Sequence, residues 1–479
     1  MFNDLREFIE KAKESGDYKL IEGADWDLEI GAISDLLSLE NNSPLLMFDR
    51  IKGYDAGYRV ASNLFSTQRR TALGLGLPLE ASGIELVRAL REKTRAGIKP
   101  LPPVEVETGP VKENIITGDD VDVLKFPAPK WHELDGGRYI GTGSIGILRD
   151  PDEGWINVGV YRAQVHDKST VTMSMIPGRH AEMIRKKYWA KGQSCPVAIS
   201  LGQDPMLWAT AHWEGIPWGL SEYDFAGGFR GEPVQVTRGV FTDLPIPATA
   251  EIVLEGEIVP PEVETREEGP FGEWPGYYAA GIRSMPAIRI KSILHRNNPI
   301  IQGNPPSRLP SVWSLGRHIQ KAVGLWNDLD RQISGIQGVW MMEEASVHSI
   351  PVISIRQNYP GHAKQAGLLA AGNPAMNYMC RMVIVVDEDI DPSNTSEIIW
   401  ALGTRVDPAT TIDVIHGCLG GAADPMLSPE KKKLLDYEMS RAIIVACRPY
   451  RWMNDFPPST GTSPELARQI KNKWKELFP

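Results

Sequence analysis

The sequence predicts an α/β protein built in successive parts, and three patterns carry that reading. Residues 1–115 mix amphipathic helical stretches with short apolar runs. From 116 to about 300 the apolar residues adopt the period of two that marks strands. From about 311, helical stretches alternate with short β-rich runs, the signature of βαβ units in a mostly parallel sheet. The divisions are 1–115, 116–310, 311–455 and a terminal linker with helix, 456–479.

In the first part, Phe2, Leu5, Phe8, Ile9 and Ala12 fall on one face of a helix over 2–14. Helices follow over 63–75 and 82–96, the second opened by Ser82 with Glu85 as a capping box. Residues 98–111 hold four prolines and read as a linker. In the second part, 247–260 alternates, with Ala248, Ala250, Ile252, Leu254 and Ile258 on one face and Glu251, Glu255 and Glu257 on the other. Residues 156–166 and 287–294 are further strands, and 179–190 is an inserted helix. In the third part, helices over 314–330, 361–371 and 393–402 alternate with strands at 352–355, 382–386, 411–415 and 443–445. The last helix, 464–478, begins after Ser463 as cap.

Composition removes whole classes of function. The formal charge of −10 leaves no global field for a nucleic acid. The longest apolar runs, 382–386 and 442–447, fall far short of the ~18 residues that span a bilayer. The polar N-terminus is no signal peptide, and four scattered cysteines with no C-x-x-C argue for a reducing cytoplasm. The 45 glycines and 37 prolines exceed ordinary usage and indicate many turns.

Two motif matches fail on context. Gly141-Thr142-Gly143-Ser144-Ile145-Gly146 fits G-x-G-x-x-G, but a strand and turn follow where a dinucleotide site needs a helix. Asp387-Glu388-Asp389-Ile390-Asp391 starts like an EF-hand, yet Pro392 and Ile398 occupy the positions that need Gly and Glu. That run is expected to close a strand and cap the next helix.

Two segments carry chemistry. In Glu267-Glu268-Gly269-Pro270-Phe271-Gly272-Glu273-Trp274, a kinked turn aims Glu268 and Glu273 into one space, an arrangement suited to proton transfer. The same residues also fit a solvated acidic loop. In Trp155-Ile156-Asn157-Val158-Gly159-Val160-Tyr161-Arg162 with Pro177-Gly178-Arg179-His180, an amide, two guanidinium groups and an imidazole lie near a helix start, which suits a phosphate. Glu222 adds a ligand for Mg²⁺ or Mn²⁺. Strict alternation sets Asn157 and Arg162 on opposite faces, so a bulge near Gly159 is expected.

These residues, Asn157, Arg162, His180, Glu222 and Glu268-Gly269-Pro270-Phe271-Gly272-Glu273, resemble the UbiD-type (de)carboxylases, which use prenylated FMN. The likeness extends to Ile51-Lys52-Gly53-Tyr54, Arg230-Gly231-Glu232-Pro233-Val234, Tyr359-Pro360-Gly361-His362-Ala363-Lys364-Gln365-Ala366 and 400–408. The resemblance implies a central split β-barrel that binds the flavin and a Rossmann-like C-terminal domain that oligomerises, as a homodimer or homohexamer. It implies Asn157, His180 and Glu222 as ligands of Mn²⁺ or Mg²⁺ beside the cofactor phosphate. Gly159, Val160, Tyr161, Arg162, Arg179 and Lys364 would complete the cofactor site. Main chain of Val158, Ala211 and Glu214, with Glu222, would hold K⁺. Arg162, Glu268 and Glu273 would be catalytic, Arg162 pairing with Glu268 and Glu273 donating the proton. A flavin prenyltransferase would supply the cofactor, and the substrate would be a small carboxylic acid that releases CO₂.

Trp274, Arg308 and Leu419 are the expected substrate wall, Trp274 by stacking on a planar ring. His132, His166, His295 and His318 read as structural or exposed. The implied activity is reversible, non-oxidative decarboxylation of an aromatic, heteroaromatic or α,β-unsaturated acid. Two rivals stay open: a flavin-binding subunit of a multi-subunit carboxylase, inactive alone, and a metal-dependent hydrolase built on Asn157, His180 and Glu222.

Overall fold

The structure, a computed structural model, describes residues 2–40, 42–308, 315–346 and 349–478. The first expected helix forms as Leu5–Glu14. Asp4 caps it by accepting the Glu7 N–H, and Leu5, Phe8, Ile9 and Ala12 are buried. Behind it lies a four-stranded sheet in the order Tyr18–Glu22, Leu45–Asp49, Arg59–Ser62, Ile300–Gln302. Its last strand comes from the end of the central region, so the first and second parts share a sheet.

A ten-stranded sheet curls through the centre as a half-barrel. Its path runs Arg138–Gly141, Ala163–Val165, Thr170–Met173, Arg283–His295, Ile252–Ile258, Cys195–Leu201, Ile145–Arg149, Ile156–Val160. Strands Thr265–Glu268 and Asn114–Thr117 pair along Arg283–His295 off that path. Gly141–Gly146 spans the end of one strand and the start of the next, with no helix after it.

One expectation is extended here and one needs correction. The alternating segment forms Ile252–Ile258, but both of its faces are covered, and Glu251 and Glu255 are fully buried. Each has compensation, as a buried charge requires. Arg6 grips both oxygens of Glu251 at 2.7 Å. Glu255 accepts the N–H groups of Val240, Phe241 and Thr242 and the Ser292 hydroxyl. Nor does a bulge form at Gly159, which pairs in regular register with Gly146. The strand instead ends at Val160 and resumes at Ala163 against new partners. Tyr161 and Arg162 occupy the break, where alternation no longer applies.

The C-terminal region carries five strands in the order Ile336–Met341, Pro351–Ile355, Met382–Asp387, Glu438–Ala446, Ile412–Leu419. The central three are parallel and the two flanking pairings antiparallel, so the sheet is more mixed than expected. Asp387 and Asp389 close a strand and bind Arg405, while Asn394, rather than that acidic run, caps the helix Thr395–Arg405. The final helix, Pro464–Lys473, is capped by Ser463 and leaves Leu466 and Ile470 exposed.

The helices Gln68–Leu75 and Ile84–Thr94 bury Ala72, Leu75, Leu86, Val87 and Leu90 in one core with Ile319, Leu325 and Ile353. The expected Ser82 capping box is absent. Gly83, at φ +52°, precedes the helix with no cap from its own side chain, and Ser393 Oγ accepts the Ile84 N–H at 3.1 Å. The C-terminal region thus caps an N-terminal helix. Ser393→Ala is expected to cost about 1 kcal/mol, read as a lower denaturation midpoint with activity intact.

Candidate active site

The ladder of Thr265–Glu268 with Arg283–His295 ends at Glu268 opposite Arg283. Gly269 follows at φ +95°, where a side chain would also meet the Gly281 carbonyl at 2.8 Å. Only glycine suits both demands. The Gly269–Pro270 bond is cis, and Phe271 is buried. Gly136 donates its N–H to Pro270 O at 2.8 Å, and a Cβ on Gly136 would lie 1.8 Å from Gly269 O. The turn therefore rests flush on the backbone at Gly136. A tight loop, with Glu273 N–H to Tyr277 O at 3.0 Å and Gly276 N–H to Glu273 O at 2.8 Å, carries Trp274 at its tip.

This geometry brings the three expected catalytic side chains together. Arg162 donates from Nε to Glu268 Oε1 at 2.7 Å and from Nη2 to Glu268 Oε2 at 2.9 Å. Its Nη1 donates to Glu273 Oε1 at 2.7 Å. The expectation paired Arg162 with Glu268; the structure adds Glu273. Glu268 is fully buried, and the Tyr139 hydroxyl lies 3.1 Å from its Oε1. Gln164 Oε1 accepts the Gly269 N–H and stands 3.1 Å from the same hydroxyl. The Phe271 ring lies beneath the guanidinium at 5.0 Å, an arrangement that favours a cation. Burial by itself weakens the charged form of Arg162, but Glu273 and Glu268 outweigh it and hold the guanidinium charged.

A second set lies along the strand Ile156–Val160. Glu222, at the start of the helix Glu222–Arg230, accepts the Asn157 amide at 3.0 Å and the Val158 N–H at 2.7 Å. The Tyr161 hydroxyl lies 3.5 Å from Asn157 Oδ1. Burial pushes the Glu222 carboxyl up to about 8, against both of those bonds. His180 opens the helix His180–Ala190 and meets Trp155 and Trp218 edge-on. Burial and Arg179 hold its imidazole below the usual value, in the neutral form that binds metals. Among the described residues no three His, Cys, Asp or Glu side chains converge on one point, so a divalent site here needs the Asn157 oxygen. The donor set fits a hard cation: a buried carboxylate short of positive charge, an amide oxygen and a neutral imidazole.

Ala211 ends the helix Pro205–Ala211, and the Glu214 side chain beyond it pairs with Arg317 at 3.2 Å and Lys321 at 2.7 Å. Burial pushes the Glu214 carboxyl up, but those cations and Arg179 hold it below its ordinary value. The sequence reading missed Arg317 and Lys321. Their signal was a spacing of four on the helix Leu315–Asp330, which sets both on one face. Tyr139 and Gln164 were missed as well, since nothing local marks a strand residue that reaches a distant turn. Lys364 is half-exposed and bonded to Asp413 at 2.7 Å, and among the described residues no contact joins it to Asn157, His180 or Glu222.

On the substrate side, the Trp274 ring stands 6.3 Å from that of Tyr378, whose own ring covers Gly421. Burial, with the Glu273 charge, raises the Tyr378 hydroxyl. Lys432 ties the C-terminal region to the same segment by donating to Ala279 O at 2.8 Å. The segment that carries Glu273 and Trp274 therefore contacts the C-terminal region. Of the other expected wall residues, Arg308 is exposed while its backbone packs on Gly276, and Leu419 is exposed at a strand end.

Comparison with known proteins gives the same layout. Residues 9–90, 103–309 and 316–446 match the N-terminal, Rift-related and C-terminal domains of 3-octaprenyl-4-hydroxybenzoate carboxy-lyase (UbiD). The chain is 32% identical to a phenolic acid decarboxylase of Bacillus subtilis, over 91% of its length and 92% of the relative's. It is 32% identical to a pyrrole-2-carboxylic acid decarboxylase of Pseudomonas aeruginosa, over 85% and 83%. Among solved structures, the UbiD-class enzyme HmfF of Pelotomaculum thermopropionicum in complex with FMN superposes with a TM-score of 0.85, at 27% identity, covering 97% and 98% of the two chains. An evolved dimeric form of that enzyme was solved in complex with prFMN.

Proposed function

The chain belongs to the UbiD family and is a carboxy-lyase, and from that premise we propose that it decarboxylates an aromatic, heteroaromatic or α,β-unsaturated acid reversibly and without oxidation. The observation that carries the reading is a single guanidinium, Arg162, bonded to both Glu268 and Glu273. Bound prenylated FMN would supply the electron sink that lets the C–C bond to the carboxylate break.

The chain's own residues would do the rest. Glu268, fully buried, fixes the Arg162 fork in place. An incoming carboxylate competes with Glu273 for Arg162 Nη1, and that exchange releases Glu273 from its cationic partner. Freed, Glu273 takes up a proton and delivers it to the carbon that has lost CO₂. One carboxylate leaves as CO₂ and one proton replaces it, so charge and atoms balance. Trp274 and Tyr378 would bracket a planar ring.

Asn157, His180 and Glu222 would hold Mn²⁺ or Mg²⁺ against the cofactor phosphate. Main chain of Val158, Ala211 and Glu214, with Glu222, would hold K⁺, and Gly159, Val160, Tyr161 and Arg179 would line the flavin. Lys364 would complete the cofactor site, and Arg317 and Lys321 would reinforce the positive field beside Glu214. A cytoplasmic homodimer or homohexamer served by a flavin prenyltransferase completes the reading; among the described residues no helix is long and apolar enough to cross a membrane.

The test is a CO₂-release screen of protein loaded with prenylated FMN, over hydroxybenzoic, cinnamic, furoic, pyrrole and indole acids. Turnover of at least one planar acid by the purified chain alone is expected. No turnover until a second subunit is added would favour a flavin-binding subunit instead.

A further inference from the structure

Beneath the acid-bearing turn lies a charged set that the reaction scheme does not use. His132 Nε2 sits 2.9 Å from Asp35 Oδ2, and His132 Nδ1 sits 3.7 Å from Asp135 Oδ2. Asp135 is buried, and its Oδ2 also accepts the His132 main-chain N–H at 3.0 Å. Its other oxygen accepts the Tyr278 hydroxyl at 3.0 Å. Three separate elements meet here. Asp35 lies on the helix Glu29–Ser38, His132 and Asp135 on the loop ahead of Arg138–Gly141, and Tyr278 five residues beyond Glu273.

The set also touches the turn itself. A Cβ on Gly272 would lie 3.9 Å from His132 Nδ1, and Gly136, beside Asp135, is the residue bonded to Pro270 O. Glu273 is therefore flanked on both sides, by Gly272 against the imidazole and by Tyr278 bonded to Asp135. The loop is fastened to the N-terminal region by Leu28 N–H to Lys130 O at 3.1 Å and Lys130 N–H to Trp26 O at 3.1 Å.

We propose that Asp35, His132, Asp135 and Tyr278 act as positioning residues that hold the Glu273 arm of the turn in register with Arg162, with the imidazolium of His132 as the bridging charge. The inference rests on Glu273 being the acid of the site. The titratable groups facing the ring are Asp35 from the helix and Asp135 from its own loop, and Tyr278 faces Asp135 from the turn. The Glu273 carboxylate is turned to Arg162 instead.

A histidine between two carboxylates keeps its proton. Burial lowers His132, but Asp135 and Asp35 outweigh it and push the group up to about 9. The folded value lies above the unfolded one, so the stabilisation is fully present below pH ~6.5, and the cross-link itself is lost as pH rises through the folded value.

The experiment is hydrogen exchange of residues 269–278 in the full chain loaded with FMN, for wild type, His132→Gln and Asp35→Asn. In His132→Gln at pH 7, exchange in this segment should quicken about tenfold while the strand Cys195–Leu201 is unchanged. In the loaded enzyme kcat should fall about tenfold with KM within about twofold, as expected for a misplaced acid. In wild type, exchange corrected for its chemical pH dependence should rise near pH 9, and Asp35→Asn should move that rise to lower pH. Asp35→Asn keeps His132 and serves if His132→Gln fails to fold. Equal protection in all three proteins, or no rise in wild type, would overturn the inference. The exchange readout needs no turnover, so a failure of Glu273 as acid is seen separately, in the activity of Glu273→Gln.

Discussion

Glu273→Gln should abolish steady-state decarboxylation, by about 10³-fold or more, while leaving the protein folded and able to bind flavin. The amide keeps the size of the side chain and can still meet Arg162 Nη1 through its oxygen, so the tight loop closed by Glu273 N–H and Tyr277 O persists. What it lacks is a transferable proton. Flavin affinity within about twofold of wild type, with CO₂ release at background, is the expected pattern. Near-normal turnover would remove Glu273 as the donor.

Arg162 carries the second large effect, on stability as well as activity. Arg162→Met should lower turnover by about 10³-fold or more, because both the carboxylate anchor and the restraint on Glu273 disappear. It also strands Glu268, fully buried, leaving the Tyr139 hydroxyl as its close partner among the described residues. Removing one member of a buried ion pair costs about 3–5 kcal/mol, since the remaining charge stays desolvated. Adding Glu268→Gln should recover a substantial part of that stability and none of the activity, a double-mutant comparison that separates the two roles. Arg162→Lys should be nearly as inactive, because an ammonium cannot form the fork to Glu268 and reach Glu273 together. Denaturation midpoints and CO₂ assays on the same preparations check both statements.

Much of this site was legible because its chemistry is concentrated in short segments. Glu268, the kinked turn and Glu273 lie within six residues, and turn-forming residues between two acids allow few geometries. Arg162 was legible as a charge that a strand should not carry. Its path into the site was misjudged, since alternation forecast a bulge at Gly159 where the strand simply ends and changes partners. The helices were legible from periodicity, but not what capped them. Ser82 and Glu85 satisfied a local rule, whereas the cap came from Ser393, more than three hundred residues away. The burial of Glu251 and Glu255 was not legible for the same reason. Alternation reports which residues share a face, and the second face here is covered by Arg6 and by the 240–242 segment. His132 read as structural or exposed; Asp135 lies three residues away in its own loop, but Asp35 and Tyr278 come from elements that no spacing connects.

The stoichiometry of the first turnover tests the central claim most directly. With saturating acid and protein loaded with prenylated FMN, wild type should release CO₂ and free protonated product in equal amounts. Glu273→Gln should release no more than one CO₂ per site and free much less product, because proton delivery is the step it lacks. Equal CO₂ and product over many turnovers in Glu273→Gln would contradict the account.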